Sequence, residues 1–372
     1  MSLRTRVCEI LNIEHPIVLA GMGGASTPEL AAAVSNAGGL GVLGAAGCGP
    51  KLLREWIRRT RELTDKPFGV DTLLPASVRR ADYERAEGPK PQDRMPHLQA
   101  FAREFMAREH LAPVDPQTLV ARREPGEPAV FSAEFFNAQM DVVIDERVPV
   151  YASGLGNPGP WMKQLRANGT KVMAVVGKVK HAIQVKQSGL DIIVAQGHDG
   201  GGHNSPIGTM ALIPQVVDAV GDTPVLGAGG IADGRGIAAA MMLGAEGVWV
   251  GSAFLASNEA GILDFQKQAI VDAAEDSTVV SRSVTGKPAR IIRSLWTDYW
   301  ERSRNEPLPM PFQGMIAGPV MAAASRDKRG DVNPGFAGQG IGMIRSIRPA
   351  AEIFRELVWG AEQALERSSN LR

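Results

Sequence analysis

Two histidines, His198 and His203, bracket three consecutive glycines, Gly200 to Gly202, in the stretch AQGHDGGGHNSPIG. A single histidine is more often a packing or hydrogen-bonding residue than a reactive one. Two imidazoles on a glycine apron, directly after an apolar run ending at Gln196, suit acid–base or redox work on a bound organic molecule. A metal site does not suit the pattern, because no carboxylate–histidine cluster of ligand spacing accompanies the pair and Asp199 alone is insufficient. Lys178 and His181 follow another apolar run and read more simply as residues at a helix start.

Two further loops are rich in glycine. AGGIADG (228–234) and WVGSAF (249–254) each follow an apolar run, and they are the last such runs of a series. Gly229, Gly230 and Gly251 permit close backbone approach, and Ser252 adds a hydroxyl, so backbone N–H groups here can cradle a phosphate. Tight turns without a ligand are the alternative. Two stretches also fit G-x-G-x-x-G, Gly39 to Gly44 and Gly154 to Gly159. The first lies within an expected strand, and the second lacks the acidic residue about 20 positions on that a dinucleotide-binding fold uses.

Positioning these loops requires a frame. Strands are expected at 16–21, 39–44, 68–74, 148–153, 171–176, 191–196, 224–229 and 247–252, each followed by an amphipathic helical pattern. Continuous apolar runs are what strands buried on both faces look like, so the sheet is parallel and covered by helices. Gly38, Gly169, Gly189, Gly221 and Gly244 mark helix ends. Eight such units predict an α/β chain folded as a (β/α)8 TIM barrel from residues 1–75 and 132–255. An insertion at 76–131, after strand three, holds a helix around Gln99–Glu109 and is either a lid over the site or a surface excursion. Residues 256–372 form a mainly helical C-terminal extension.

Composition narrows the class. The 372 residues carry 40 basic and 40 acidic side chains, a balance that argues against a bulk electrostatic grip on nucleic acid or on an anionic membrane. No apolar run reaches the ~20 residues of a membrane-spanning helix. The basic start MSLRTR is not followed by the clean apolar stretch of a signal peptide, because Glu9, Asn12, Glu14 and His15 interrupt it, so a cytoplasmic enzyme is expected. Cys8 and Cys48 cannot make a disulfide framework. Association into a homo-oligomer is left open.

The GGH loop followed by GTMALIPQVVDAV, then the AGGI loop and the VGSAFL loop, together resemble the nitronate monooxygenase family, formerly 2-nitropropane dioxygenases. The resemblance covers Ile10 to Pro75 and Val148 to Leu255, and continues more weakly through TGKPAR (285–290) and AGQG (337–340). It implies an FMN-containing TIM barrel. By resemblance, Ala20, Gly21 and Met22 lie against the flavin ring, Asp71 stands near it, and Gln196 bonds the ring or ribityl chain. Gly201 admits the backbone to the flavin, Gly229 and Gly230 with the run Trp249, Val250, Gly251 and Ser252 hold the phosphate, and His203 faces the reactive side as the catalytic residue. The implied reaction is oxidation of a small alkyl nitronate with O2 to a carbonyl compound and nitrite. An NAD(P)H-dependent quinone or enoyl-thioester reductase would use the same pocket, and a non-flavin lyase or isomerase would use the same phosphate loops. Three departures stand out: the loop reads Gly197-His198-Asp199-Gly200-Gly201-Gly202-His203 where the family has Gly-x-Glu-Ala-Gly-Gly-His, Asp71 replaces a common asparagine, and the 76–131 insertion is long. As a carboxylate, Asp71 would accept a hydrogen bond from the ring but could not donate one.

Overall fold

A computed structural model of the chain describes residues 3–74, 90–114, 126–130 and 132–369. The strands are β1 (Ile17–Leu19), β2 (Gly41–Gly44), β3 (Phe68–Leu73), β4 (Val150–Leu155), β5 (Lys171–Val176), β6 (Ile192–Gln196), β7 (Gly202–His203), β8 (Val225–Ala228), β9 (Gly247–Val250), β10 (Thr278–Ser281) and β11 (Ala289–Ile292). The helices are α1 (Arg6–Leu11), α2 (Pro28–Asn36), α3 (Pro50–Leu63), α4 (Pro91–Arg108), α5 (Ala133–Asp145), α6 (Met162–Ala167), α7 (Val179–Gln187), α8 (Thr209–Val220), α9 (Gly234–Met242), α10 (Ser252–Leu255), α11 (Asp264–Val271), α12 (Leu295–Arg302), α13 (Phe312–Arg326) and α14 (Ala350–Ser369).

Eight strands make one parallel sheet in the order β1–β9–β8–β6–β5–β4–β3–β2. A parallel bridge between Val18 and Leu40 closes the sheet on itself, with Leu19 N–H donating to Leu40 O at 2.8 Å and Leu40 N–H to Ile17 O at 3.1 Å. The expected (β/α)8 barrel is therefore the fold. All five glycines expected to end helices adopt left-handed φ, from 54° at Gly221 to 101° at Gly38.

Period-two alternation divides the barrel's apolar residues between two cores. Val18, Leu40, Val42, Val150, Ala152, Met173, Val194, Leu226 and Trp249 fill the interior, and Val7, Cys8 and Leu11 of α1 plug its bottom. Their strand neighbours, such as Ile17, Leu43, Val70, Tyr151, Ala174, Ile193, Val248 and Val250, face the surrounding helices. Each strand thus delivers every second residue to the barrel axis.

The described part of the insertion joins the C-terminal extension in a separate core. Leu98, Ala102, Phe105 and Met106 recur at helical spacing on α4 and pack against Trp296 and Trp300 of α12 and Ile316, Val320 and Ala324 of α13. Phe101 stacks on Tyr299 with centroids 4.3 Å apart, Phe105 meets Trp296 edge-on at 5.1 Å, and the Arg108 guanidinium lies 4.5 Å from the Tyr299 ring centroid. Residues 76–89, 115–125 and 131 of the expected insertion fall outside the described residues. The extension, expected to be mainly helical, also contributes the strands β10 and β11. They extend into a three-stranded antiparallel sheet with β7, and β7 is the loop that carries His203. This second body forms a cap on the barrel.

Candidate active site

Following the interior alternation one step above the apolar plug reaches Gly44, Asp71, Gly154, Gly177, Gln196 and Gly251. Four of these six positions have no side chain, so the barrel mouth has a floor made largely of backbone. Asp71 is the one ionisable group in this layer. It is 7% exposed, and its Oδ1 accepts the Gly154 N–H at 2.7 Å. A Cβ on Gly154 would lie 2.6 Å from that oxygen, and one on Gly21 would lie 2.7 Å from the Asp71 Cγ. Glycine at both positions is what lets the carboxyl sit there. Burial holds its pKa well above the usual carboxylate range, against the smaller opposing effect of the Gly154 N–H. Burial thus favours the protonated form, which carries an O–H and can donate, over the acceptor-only carboxylate of the sequence reading.

His203 stands at the opposite rim, where barrel and cap meet. Its carbonyl accepts from Gln196 Nε2 at 2.9 Å, and its ring Nε2 lies 3.0 Å from Thr285 Oγ1 of the cap. β7 pairs with β11 so that His203 faces Ala289, which fixes the loop against the hairpin. The Thr285 hydroxyl donates to Lys287 O at 3.2 Å and accepts from Lys287 N–H at 3.3 Å. In the tautomer consistent with that donation, Thr285 accepts from an Nε2–H of His203 and Nδ1 keeps the ring's lone pair. Burial, then the nearby Lys287 charge, pushes the His203 pKa down to about 4. The imidazole is therefore neutral at neutral pH. Gly286, between Thr285 and Lys287, has φ 86°, and a Cβ there would sit 2.7 Å from Pro309 C, so the turn is seated against the cap backbone.

The other members of the glycine apron have structural duties. His198 Nδ1 lies 2.9 Å from Ser205 O and so carries a proton, and its carbonyl accepts from Arg290 Nε at 3.2 Å and Nη2 at 3.1 Å. Asp199 Oδ2 accepts the Thr209 N–H at 2.8 Å, at the start of α8, where Gly208 offers no side-chain cap. The departure from the family's glutamate at this position thus falls on a helix cap. Lys178 is the N-cap residue of α7 and His181 lies in its first turn, as expected of helix-start residues. Among the described residues no group of three or more metal-ligating side chains occurs, and no helix is long and apolar enough to cross a membrane.

The two expected phosphate loops lie side by side, because Ala228 of β8 pairs with Trp249 of β9. Gly229 and Gly230 have φ of 104° and 73°, which only glycine adopts without strain. The N–H groups of Gly230, Gly251 and Ser252 donate to no other described residue. Ser252 opens α10, the short helix after β9, and its Oγ accepts from Gly338 N–H at 2.9 Å. Trp249 and Val250 contribute backbone here, since their side chains belong to the interior and outer cores. Ala20 and Met22 border the same end: a Cβ on Gly251 would lie 3.3 Å from Met22 Sδ and 3.4 Å from Ala20 Cβ. Gly201 also faces the C-terminal chain. A Cβ there would meet Ala337 C and Gly338 N at 2.8 Å, so its missing side chain first admits the C-terminal chain. Sequence reasoning missed Thr285 and Lys287, which reach His203 only through the β7–β11 pairing.

The family model described as nitronate monooxygenase matches residues 4–360. A protein of Mycobacterium tuberculosis described as a monooxygenase is 37% identical, over 96% of each chain. One of Staphylococcus saprophyticus described as a probable nitronate monooxygenase is 32% identical, over 99% of this chain and 100% of its own. Among solved structures, nitroalkane oxidase from Streptomyces ansochromogenes superposes with a TM-score of 0.80 at 29% identity, covering 98% of this chain and 100% of that one. FabK from Thermotoga maritima superposes with a TM-score of 0.74 at 33% identity, covering 99% of both chains.

Proposed function

The chain belongs to the nitronate monooxygenase family of flavin oxidoreductases, and from that premise we propose that it binds FMN and oxidises small alkyl nitronates with O2 to a carbonyl compound and nitrite. The observation that carries the reading is the pairing of a cradle of unbonded N–H groups at Gly230, Gly251 and Ser252 with a neutral His203 held at the rim.

The residues fit the cofactor. Gly229, Gly230 and the Trp249–Ser252 run would hold the phosphate through backbone donors and the Ser252 hydroxyl, which retains its own proton while accepting from Gly338. The backbone of Ala20, Gly21 and Met22 would lie along the ring, and Gln196 has a carbonyl and one N–H left for the ring or ribityl chain after bonding His203. Gly201 would let the apron approach the cofactor. In the protonated form that burial favours, Asp71 would donate where the common asparagine donates and would bring no negative charge against a reduced ring. Bound FMN supplies the electron transfer, from the nitronate and onward to O2.

The protein's own task is to prepare and hold the substrate. With Nε2–H engaged by Thr285, the His203 Nδ1 lone pair can take the acidic proton beside a nitro group. A pKa of about 4 keeps that lone pair available while making it a weak base. The Lys287 charge that depresses the imidazole also favours the nitronate anion formed beside it, which offsets the weak basicity. The second reading is an NAD(P)H-dependent reductase of quinones or enoyl thioesters, favoured by the likeness to FabK.

Purification decides between them. The purified chain is expected to be yellow with one FMN, to release nitrite from a preformed nitronate in air, and to stay oxidised with NADH or NADPH without oxygen. Bleaching by a nicotinamide, with no nitrite from nitronate, would establish the reductase instead.

A further inference from the structure

The phosphate loops are not closed by the barrel alone. Residues 337–340, the sequence AGQG, run across the ends of three barrel loops and touch each through backbone. Gly338 N–H donates to Ser252 Oγ at 2.9 Å, beyond β9. Gln339 N–H donates to Asp199 O at 2.9 Å, beyond β6. A Cβ on Gly340 would lie 2.6 Å from Gly230 O, beyond β8, and 2.9 Å from Ala232 Cβ. From the other side, a Cβ on Gly201 would meet Ala337 C and Gly338 N at 2.8 Å, and one on Gly338 would meet Asp199 O at 2.7 Å. Behind these contacts Ala337 and Ile341 are fully buried in a core with Ala25, Leu255 and Ile344, which anchors the segment.

These contacts share one consequence. The Asp199, Gly230 and Ser252 loops leave different strands, and backbone N–H donors serve a phosphate only if their relative positions are fixed in advance. We propose that residues 337–340 act as a clasp that locks the three loops into the phosphate cradle, so that the C-terminal extension, more than 80 residues beyond the barrel's last strand, governs cofactor retention. The proposal rests on the FMN reading above. Gly201, Gly338 and Gly340 are then positioning residues, and their lack of Cβ is a packing requirement between two chain segments.

Gly340→Ala tests it. Gly340 lies in a 3-10 turn with ordinary φ, so alanine suits the backbone there and its methyl acts by pushing on Gly230 O and Ala232 Cβ, both in the loop beyond β8, and on the end of Met343. Gly318→Ala, on α13 of the same extension, is the control, because a Cβ there meets nothing within 4 Å. Gln339→Pro is the second variant: it deletes the N–H to Asp199 O, and Gly338 at φ −82° and ψ 172° already has the extended backbone that precedes proline. Apoprotein of each would be titrated with FMN by flavin fluorescence, with circular dichroism and melting of the apo forms alongside. Gly340→Ala is expected to weaken FMN binding by about tenfold or more, Gln339→Pro less so, and Gly318→Ala not at all, with folds retained. If Gly340→Ala fails to fold, Gln339→Pro decides. Wild-type affinity in the folded variants overturns the clasp and leaves the FMN reading intact, whereas a wild-type apoprotein that takes up no FMN overturns both.

Discussion

The barrel and the cap supply the site with different kinds of group. At the barrel mouth the donors are backbone N–H groups of Gly230, Gly251 and Ser252 above a floor of glycines, and burial disfavours the charge on Asp71. At the cap the groups are side chains: Thr285 on the His203 ring and the Lys287 charge beside it. Backbone donors are fixed by chain path, so added bulk or charge harms them while trimming a neighbouring side chain does little. Side-chain groups respond to deletion of single atoms. In the proposed function the cofactor and the proton are thus handled by two regions that can be perturbed separately.

The largest effect should come from filling the barrel side. Gly251 has φ −110°, which any residue can adopt, and a Cβ there meets only the mobile end of Met22 and the Ala20 methyl. Gly251→Asp should therefore fold, yet its carboxylate would occupy the N–H cradle and repel a phosphate. The expected product is a colourless protein with wild-type circular dichroism. A yellow Gly251→Asp would break the assignment of the cradle.

Trp296→Ala attacks the cap instead. This side chain is fully buried between Phe101, Phe105 and Trp300, and removing such a ring costs roughly 3–5 kcal/mol. The melting temperature should fall steeply, and limited proteolysis should attack residues 90–114 and the extension before the barrel. Simultaneous cleavage of both regions would mean that the cap has no separate core.

Thr285→Val removes one hydroxyl and leaves the His203 Nε2–H without its partner. An unmet buried donor costs about 1–3 kcal/mol, so turnover of a neutral nitroalkane should fall roughly tenfold, with FMN retained and the pH profile displaced. Thr285→Ser should restore both rate and profile. Loss of rate without a change in profile would assign Thr285 to packing alone.

Asp71→Asn should have the smallest catalytic effect, within a few-fold, because asparagine offers the same donor and acceptor as the protonated acid that burial favours. Stability gives the sharper readout. A carboxyl whose folded pKa is raised contributes fully below its ordinary value of 3.8 and loses that contribution as pH rises toward the folded value. At neutral pH the asparagine variant should therefore melt at a higher temperature than wild type, and the gap should narrow as pH falls. A lower melting temperature at neutral pH would mean that Asp71 is held as a carboxylate by a favourable charge.

The barrel was legible in the sequence because strands buried on both faces read as apolar runs, and their helices end at glycines that need left-handed φ. The unusual backbone of the loop after β8 was legible for a related reason: Gly229 and Gly230 fall in tandem at a fixed place in the repeat. The cap was not. Thr285 meets His203 across 82 residues and Phe101 meets Tyr299 across nearly 200, and no local periodicity records such pairings. The raised pKa of Asp71 was equally hidden, since it follows from a burial that Gly21 and Gly154 create only when three strands converge. A small clue was present: the alternation of β3 and β4, continued two residues past their apolar stretch, puts Asp71 and Gly154 on the barrel axis.

His203→Asn offers the most direct measurement of the central claim, that the cap holds a base beside a cofactor held by the barrel. Wild type and variant would be assayed at fixed pH and oxygen on a neutral nitroalkane and on its preformed nitronate, which has already lost the proton. The account predicts a variant that stays yellow, loses about 10²–10⁴-fold on the neutral substrate and much less on the nitronate. Equal loss on both forms would contradict it and make His203 an anion-binding residue.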